Sequence, residues 1–134
     1  MTSDDPLQLA ERLFAAITAG DVEAVRDIYA ADAVIWHNND GLEQCVDDNL
    51  RVLRWVAANI RHLHYENVRR QRTDTGFAQQ HALRGRAPNG RELNIPACII
   101  CTVRNGRITR LDEYLDSAHL LPLLEPDEGS GATT

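Results

Sequence analysis

Three consecutive β-strands joined by two tight turns constrain the fold of this chain more than any other stretch. The apolar-rich segments 77–86, 91–103 and 107–116 are separated by Pro88-Asn89-Gly90 and by Asn105-Gly106. Asn-Gly between two apolar runs predicts a hairpin with a type I′ turn, because that turn needs a positive φ at both central residues. Pro, Asn and Gly each favour turns for their own conformational reasons. The stretch therefore predicts an antiparallel meander against which the rest of the chain packs.

The residues before the meander predict helices that cover one face of this sheet. The first helix begins after Asp4 or Asp5 and ends at Gly20, a residue that favours the left-handed conformation found at helix ends. Asp21 caps a second, shorter helix. The remaining predictions are a strand over 32–38, a helix over 42–59, a strand over 62–72 and a short helix over 118–121. This order predicts an α+β fold in which three N-terminal helices lie under a curved antiparallel sheet and leave a conical cavity.

Composition excludes several classes of partner. The 134 residues suit one domain, predicted over 1–124, followed by an acidic and then Gly/Ser/Thr-rich tail over 125–134 that is predicted to be disordered. The net charge of −6 argues against nucleic acid and anionic membranes, since both attract basic surfaces. No apolar stretch approaches the ~20 residues that span a bilayer, and the acidic N-terminus does not resemble a signal peptide. We therefore expect a cytoplasmic protein that binds neither nucleic acid nor membrane.

Cys98 and Cys101 have the C-x-x-C spacing of many metal and redox sites. They lie within a predicted strand, where residues three positions apart point to opposite faces of the sheet. The two thiols are therefore not expected to meet on one metal ion or in a disulfide. They are interpreted as small side chains that pack in the sheet.

Four short motifs resemble the nuclear transport factor 2-like superfamily. They are Ala19-Gly20-Asp21, Ala31-Asp32-Ala33-Val34, Arg104-Asn105-Gly106-Arg107-Ile108 and Asp112-Glu113-Tyr114-Leu115-Asp116. Within the superfamily, the chain is most similar to the SnoaL-like polyketide cyclases and their bacterial relatives, over about residues 6–124. The resemblance implies a cone-shaped barrel of the cystatin-like type, a homodimer formed through the convex sheet face, and chemistry without a cofactor. Because the superfamily includes isomerases, hydrolases, cyclases and inert binders, the fold alone does not determine the function.

Two activities of the superfamily lack their catalytic residues in this chain. By the resemblance, the base position of ketosteroid isomerase falls on His37, but its two oxyanion donors fall on Leu13 and near Ile99. The Arg-x-Asp strand of limonene epoxide hydrolase falls on residues 79–81, and only its last carboxylate has a counterpart, Glu113. We therefore expect neither of these two specific activities.

The candidate catalytic residues are Glu113, His37 and His81. The resemblance places the face of Glu113 on the concave side of the sheet, and both histidines align with pocket positions. Neutral imidazole is a good general base near pH 7, and a neighbouring carboxylate stabilises the imidazolium that forms. We expect Glu113 with His37 or His81 to abstract a proton next to a carbonyl, or to assist a cyclisation or hydration. The residues expected to contact the small apolar ligand are Trp36, Asn38, Asn39, Trp55, Gln79, Ile99 and Leu111.

Each candidate residue also has a structural interpretation. A buried polar group must find a partner in any case, so His81 and Glu113 can pair only to satisfy each other. No metal is expected, because the local spacing lacks a His-x-x-x-His pattern. The missing isomerase donors favour a cavity that binds a ligand or a protein without catalysis. The polar cluster favours an acid/base enzyme of the isomerase, cyclase or hydrolase type that needs no cofactor.

Overall fold

Helices and one mixed sheet form two layers in the computed structural model, which describes residues 5–125. The helices are α1 (Pro6–Ala19), α2 (Val22–Ile28), α3 (Val46–Asn59) and α4 (Leu121–Leu124), and a single 3₁₀ turn (Ser117–Leu120) precedes α4. The strands are β1 (Tyr29–His37), β2 (Glu43–Gln44), β3 (Arg61–Arg72), β4 (Gly76–Arg86), β5 (Glu92–Arg104) and β6 (Arg107–Leu115). Across the described residues, no helix is both long enough and apolar enough to cross a membrane.

The first two helices begin and end at the residues that the sequence indicates. The Asp5 carboxylate accepts a hydrogen bond from the backbone N–H of Leu7 at 3.0 Å and so caps α1. Gly20 follows α1 with a φ of +72°, in the left-handed region where glycine is favoured. Asp21 caps α2 by accepting a hydrogen bond from the N–H of Ala24 at 3.1 Å. Local side-chain chemistry therefore defines this helical hairpin.

The sheet has the strand order β2-β1-β6-β5-β4-β3. All neighbours are antiparallel except β1 and β6, which run parallel and bring the first long strand beside the last. The prediction of a wholly antiparallel sheet is therefore corrected at this one pairing. A second correction concerns the start of the third helix. Glu43 and Gln44, predicted to be helical, form the short edge strand β2, and α3 begins only at Val46.

The turns of the meander have the predicted conformations. Asn105 and Gly106 have φ values of +54° and +73°, so the positive φ values of a type I′ turn are confirmed. Gly90, in the turn between β4 and β5, has a φ of +88°. The register of β4 and β5 is unbroken from Gly76 opposite Thr102 to Arg86 opposite Glu92. The strands β4, β5 and β6 of this meander all contribute residues to the wall of a cavity.

Two irregularities bend β3, the edge strand opposite β2. Its register with β4 shifts between Arg61 and His64, and again between Glu66 and Arg69. A residue with positive φ lies within each shift, at His62 and Asn67. Such bulges bend a strand and increase its twist, so β3 curls toward the helices. The sheet thereby becomes concave on the side that α1 and α3 cover.

A single apolar cluster joins α1 to the concave face of the sheet. Its fully buried members include Leu13 on α1 and Phe77 on β4. Cys101 belongs to this cluster, whereas Cys98 pairs with Tyr114 on the opposite, convex face. The two thiols therefore point apart, as the strand periodicity predicts.

The chain after β6 folds back against the turn between β4 and β5. The Asn89 side-chain amide donates hydrogen bonds to the carbonyl oxygens of Pro122 and Glu125. Arg91 forms an ion pair with the Glu125 carboxylate, with 2.9 Å between Nη2 and Oε2. Apart from Glu125, the tail predicted over 125–134 lies outside the described residues. These contacts hold α4 beside the mouth of the cavity.

Candidate active site

A cavity of about 380 Å³ lies between α3 and the concave face of the sheet. This volume is at the small end of the roughly 300–1,000 Å³ typical of ligand pockets. Its wall is mainly apolar and comes from α1, α3, the long strands and the segment that carries Leu120 and Leu123. The polar residues in the wall are Tyr29, His37, Asn39, Asp40, Gln44, Asn49, Tyr65 and Glu113. A few polar groups in an apolar wall can orient a small molecule within the cavity.

The parallel pairing of β1 and β6 brings His37 and Glu113 together. The two residues are register partners, so their side chains leave neighbouring strands side by side on the same face. Nε2 of His37 lies 2.9 Å from Oε1 of Glu113, and the side chains are only 21% and 19% exposed. The hydrogen bond to Glu113 raises the pKa of His37, against the smaller opposing effect of burial. The imidazole is therefore more basic than an isolated histidine.

His81 does not join this pair. It is buried on β4, and its Nδ1 lies 2.9 Å from the amide nitrogen of Gln79. Oε1 of Gln79 accepts a hydrogen bond from Nε of Arg70 at 2.6 Å, so the Gln79 amide nitrogen must be the donor to His81. His81 Nδ1 is thus an acceptor and the ring proton lies on Nε2. Burial lowers the pKa of His81, which keeps the ring neutral.

The residues expected to contact the ligand divide into two groups. Asn39, Trp55, Ile99 and Leu111 line the cavity. Trp36, Asn38 and Gln79 do not, because their side chains have other neighbours. Trp36 follows the alternation of β1 and points to the convex face, where its ring packs edge-on against Tyr114 at 5.3 Å between centroids.

Asn38 ties the end of β1 to β6 around the ion pair. Its backbone N–H donates to the carbonyl oxygen of Glu113 at 3.0 Å, and its Oδ1 accepts from the N–H of Leu115 at 2.9 Å. These bonds fix the backbone on both sides of Glu113. Asn38 therefore holds the backbone that carries Glu113 in place. It does not line the cavity, so the prediction that it contacts the ligand is corrected.

Three polar residues of the cavity wall are absent from the sequence-based list: Tyr29, Asn49 and Tyr65. The Tyr29 hydroxyl donates to Oδ1 of Asn49 at 3.1 Å in a buried hydrogen bond. One signal for Asn49 is present in the sequence, because it lies at helical spacing from Val46 and Leu53 on the apolar stripe of α3. The position of Tyr29 at the start of β1 follows only from the pairing with β6.

Among residues 5–125, no group of three or more His, Cys, Asp or Glu side chains is arranged to hold a metal ion. Leu13, at the position of one isomerase donor, packs in the core, and Ile99, near the position of the other, presents an apolar side chain to the cavity.

Comparison with known proteins identifies the same architecture. The family model of the SnoaL-like domain matches residues 10–111. No curated protein matches the chain. Similar solved structures include IdmH from Streptomyces antibioticus, named as a candidate polyketide cyclase, which is 24% identical with a TM-score of 0.75 over 89% of this chain and 97% of that one.

Two further structures extend this likeness at lower identity. A candidate polyketide cyclase from Xanthomonas campestris pv. campestris is 18% identical, with a TM-score of 0.78 over 92% of this chain and 100% of that one. A hypothetical protein from Catenulispora acidiphila, with a ketosteroid isomerase-like fold and in complex with trimethylamine, is 17% identical, with a TM-score of 0.75 over 90% and 95% of the two chains. At these identities the likeness establishes the fold alone, a cone-shaped α+β fold.

Proposed function

Because the chain belongs to the SnoaL-like domain family, we propose that it is a small-molecule enzyme of the isomerase or cyclase type, working by acid/base chemistry without a cofactor. The observation that carries this proposal is the His37–Glu113 pair, 2.9 Å apart in a mainly apolar cavity. The ligand is a small, mainly apolar molecule that carries an acidic C–H next to a carbonyl group. The name of IdmH as a candidate polyketide cyclase agrees with such a substrate.

His37 acts as the base in this mechanism. Its Nε2–H donates to the Glu113 carboxylate, which leaves the lone pair of Nδ1 to accept a proton. The substrate C–H bond breaks, an N–H bond forms at Nδ1, and the electron pair moves to the carbonyl oxygen as an enolate. Return of the proton from Nδ1 to another carbon of a conjugated enolate completes an isomerisation. In a cyclisation the enolate carbon attacks a second carbonyl, a C–C bond forms, and the resulting alkoxide takes the proton back from Nδ1. Glu113 stabilises the imidazolium between the two steps.

The pKa of His37 sets the pH dependence of this reaction. Only neutral His37 can accept the proton, and the hydrogen bond to Glu113 raises the pKa of His37 above the ordinary value of 6.5. The rate is therefore expected to increase as the pH rises through this elevated pKa. Loss of Glu113 removes the largest cause of the elevation.

Exchange of carbon-bound hydrogen with deuterated water tests proton abstraction without knowledge of the product. One- and two-ring methyl ketones and β-diketones are incubated with the protein, and loss of the α-proton signal is followed by NMR. A base of this kind contributes about 100-fold or more to rate. His37→Ala and Glu113→Gln are expected to slow exchange by at least that factor and by a smaller factor, respectively. Unchanged exchange in both variants would overturn the mechanism.

The surface pair His64–Glu66 supplies a matched control. Its Nε2–Oε2 distance is also 2.9 Å, but its side chains are 51% and 43% exposed and lie outside the cavity wall. His64→Ala and Glu66→Gln are therefore expected to leave exchange at the wild-type rate. If exchange also slowed in these two variants, the loss would reflect damage to the fold and not removal of a group in the cavity.

A second candidate function is ligand binding without catalysis. The apolar residues Leu13 and Ile99, at the positions of the isomerase donors, favour it. Native mass spectrometry of the purified protein distinguishes the two functions. A retained small molecule, together with no exchange of any ketone in the panel, would favour the binder. Exchange that depends on His37 would favour the enzyme.

The convex face of the sheet is the proposed homodimer interface. Ile100 and Tyr114 are 43% and 46% exposed there, next to the ring of Trp36 and the thiol of Cys98. Adjacent apolar side chains on one exposed sheet face are typical of an interaction site. A second copy of the chain, packed face to face through these side chains, would cover them.

A further inference from the structure

Asn49 and Tyr65 both line the cavity, and each carries a hydrogen-bond donor that has no partner within residues 5–125. Asn49 is 6% exposed, and its Oδ1 accepts the Tyr29 hydroxyl. This bond fixes the orientation of the side chain and leaves the amide nitrogen with no hydrogen bond within residues 5–125. The Tyr65 ring packs edge-on against Phe14 and His81, at 5.1 and 4.6 Å between centroids, while its hydroxyl also makes no hydrogen bond there.

Unpaired donors in an apolar cavity call for an acceptor. The neighbours of Asn49 on α3 that face the cavity, Val52 and Leu53, are apolar and offer no acceptor. An acceptor oxygen on a bound molecule would supply the missing partner for each donor. The wall thus has a basic side at His37 and a donor side at Asn49 and Tyr65.

Electrostatics place the donor side close to the basic side. Burial is the largest cause of the raised pKa of Tyr65, and the charge of Glu113 adds to it. The pKa of Tyr29 is raised by burial and then by neighbouring groups that include Glu113 and Tyr65. Both phenols therefore remain protonated donors, and both lie within electrostatic reach of the catalytic carboxylate.

We propose that the amide of Asn49 and the hydroxyl of Tyr65 bind the carbonyl oxygen of the substrate, and that Tyr29 positions Asn49. The substrate class is a small, mainly apolar ketone with an enolisable C–H. This proposal rests on the proposed function above. As His37 takes the proton, negative charge develops on the carbonyl oxygen, and the two donors then bind it more strongly than they bind the ground state. Asn49 and Tyr65 thereby supply what the apolar side chains of Leu13 and Ile99 cannot.

Binding of β-naphthol tests the donor side without turnover. Its ring system is apolar and its phenolic oxygen resembles an enolate oxygen, whereas naphthalene has the same rings and no oxygen. Each hydrogen bond to such an oxygen is worth about a 10- to 100-fold change in affinity. The wild type is expected to prefer β-naphthol, and Asn49→Ala and Tyr65→Phe each to reduce that preference by such a factor. Tyr29→Phe is expected to reduce it less, because the amide of Asn49 remains but can rotate.

The affinity for naphthalene separates a lost hydrogen bond from a damaged fold, since it should stay at the wild-type value in Tyr65→Phe and Tyr29→Phe. Tyr114→Phe, on the convex face, is the matched control and should keep the full preference. The proposal is overturned if the wild type does not prefer β-naphthol, whether both compounds bind equally or neither binds. It is also overturned if Asn49→Ala and Tyr65→Phe both keep the wild-type preference.

The two proposals fail in different ways. His37→Ala is expected to abolish exchange of the ketone C–H while it keeps the preference for β-naphthol. If exchange is unaffected by His37→Ala and the preference still depends on Asn49 and Tyr65, the base is wrong and the donor side stands. If exchange depends on His37 and the preference does not depend on Asn49 or Tyr65, only the donor side is wrong.

Discussion

The coupling between His37 and Glu113 can be measured as a free energy of unfolding. The perturbation is a double-mutant cycle made of His37→Ala, Glu113→Ala and the double variant. Hydrogen bonds that involve a charged group are worth about 1.5–3 kcal/mol. With 2.9 Å between Nε2 and Oε1 and about four-fifths of each side chain shielded from solvent, we expect a coupling energy in this range. Each single variant also leaves its partner unpaired, so only the cycle isolates the pair.

The coupling should depend on pH in a defined direction. The hydrogen bond to Glu113 raises the pKa of His37 in the folded protein above its value of 6.5 in the unfolded chain. A raised histidine pKa stabilises the fold fully below the unfolded pKa, and this stabilisation is lost as the pH rises through the folded pKa. The coupling energy is therefore expected to be larger at about pH 5.5 than at about pH 8.5, on either side of the ordinary imidazole pKa. The contribution of the pair to folding stability therefore falls in the same pH range in which neutral His37, the proposed base, becomes available.

Urea unfolding followed by far-UV circular dichroism gives the four free energies at each pH. The same cycle on His64 and Glu66 provides an internal comparison, since that pair has the same 2.9 Å separation but is largely exposed. Solvent screens an exposed pair, so its coupling should be clearly smaller. A His37–Glu113 coupling that is no larger than that of the surface pair, or that increases with pH, would refute the reasoning.

Two further predictions concern the sheet. A Cβ atom on Gly76 would clash with the carbonyl oxygen of Cys101, a backbone atom that cannot move away cheaply, so Gly76→Ala should cost about 4 kcal/mol or more. Gly41→Ala, with open space around it and a φ of +68°, should cost only about 1 kcal/mol in the same urea experiment; similar losses would contradict the steric argument. Tyr114→Arg should convert the proposed dimer to a monomer in light scattering, while Leu42→Arg, at a more exposed apolar site on the loop before β2, should not. A wild type that is already monomeric would rule out the interface.

Most of the secondary structure could be predicted because its signals are local. Gly20 and Asp21 mark the end of one helix and the start of the next through their own backbone and side-chain preferences. Asn105 and Gly106 do the same for the last turn. The short strand β2 could not be predicted in this way, because Glu43 and Gln44 become a strand only by pairing with β1.

The candidate site also divides into residues with a local signal in the sequence and residues that depend on long-range contacts. Alternation along β6 places Glu113 in the cavity together with Leu111 and Leu115, and the resemblance supplies His37. Alternation also shows that Trp36 and His37 cannot both face inward, which explains the position of Trp36. The hydrogen bond between Tyr29 and Asn49 joins a strand to a helix, and no local pattern in the sequence specifies such a contact.

The parallel pairing of β1 with β6 has a consequence for when the site can form. His37 comes from the first long strand and Glu113 from the last, so a nascent chain emerging from the ribosome carries the histidine long before its carboxylate exists. Contacts of such large sequence separation form late, because a long loop must close first. Formation of the proposed site should therefore coincide with completion of the fold. Truncated or partly synthesised copies should lack the pair.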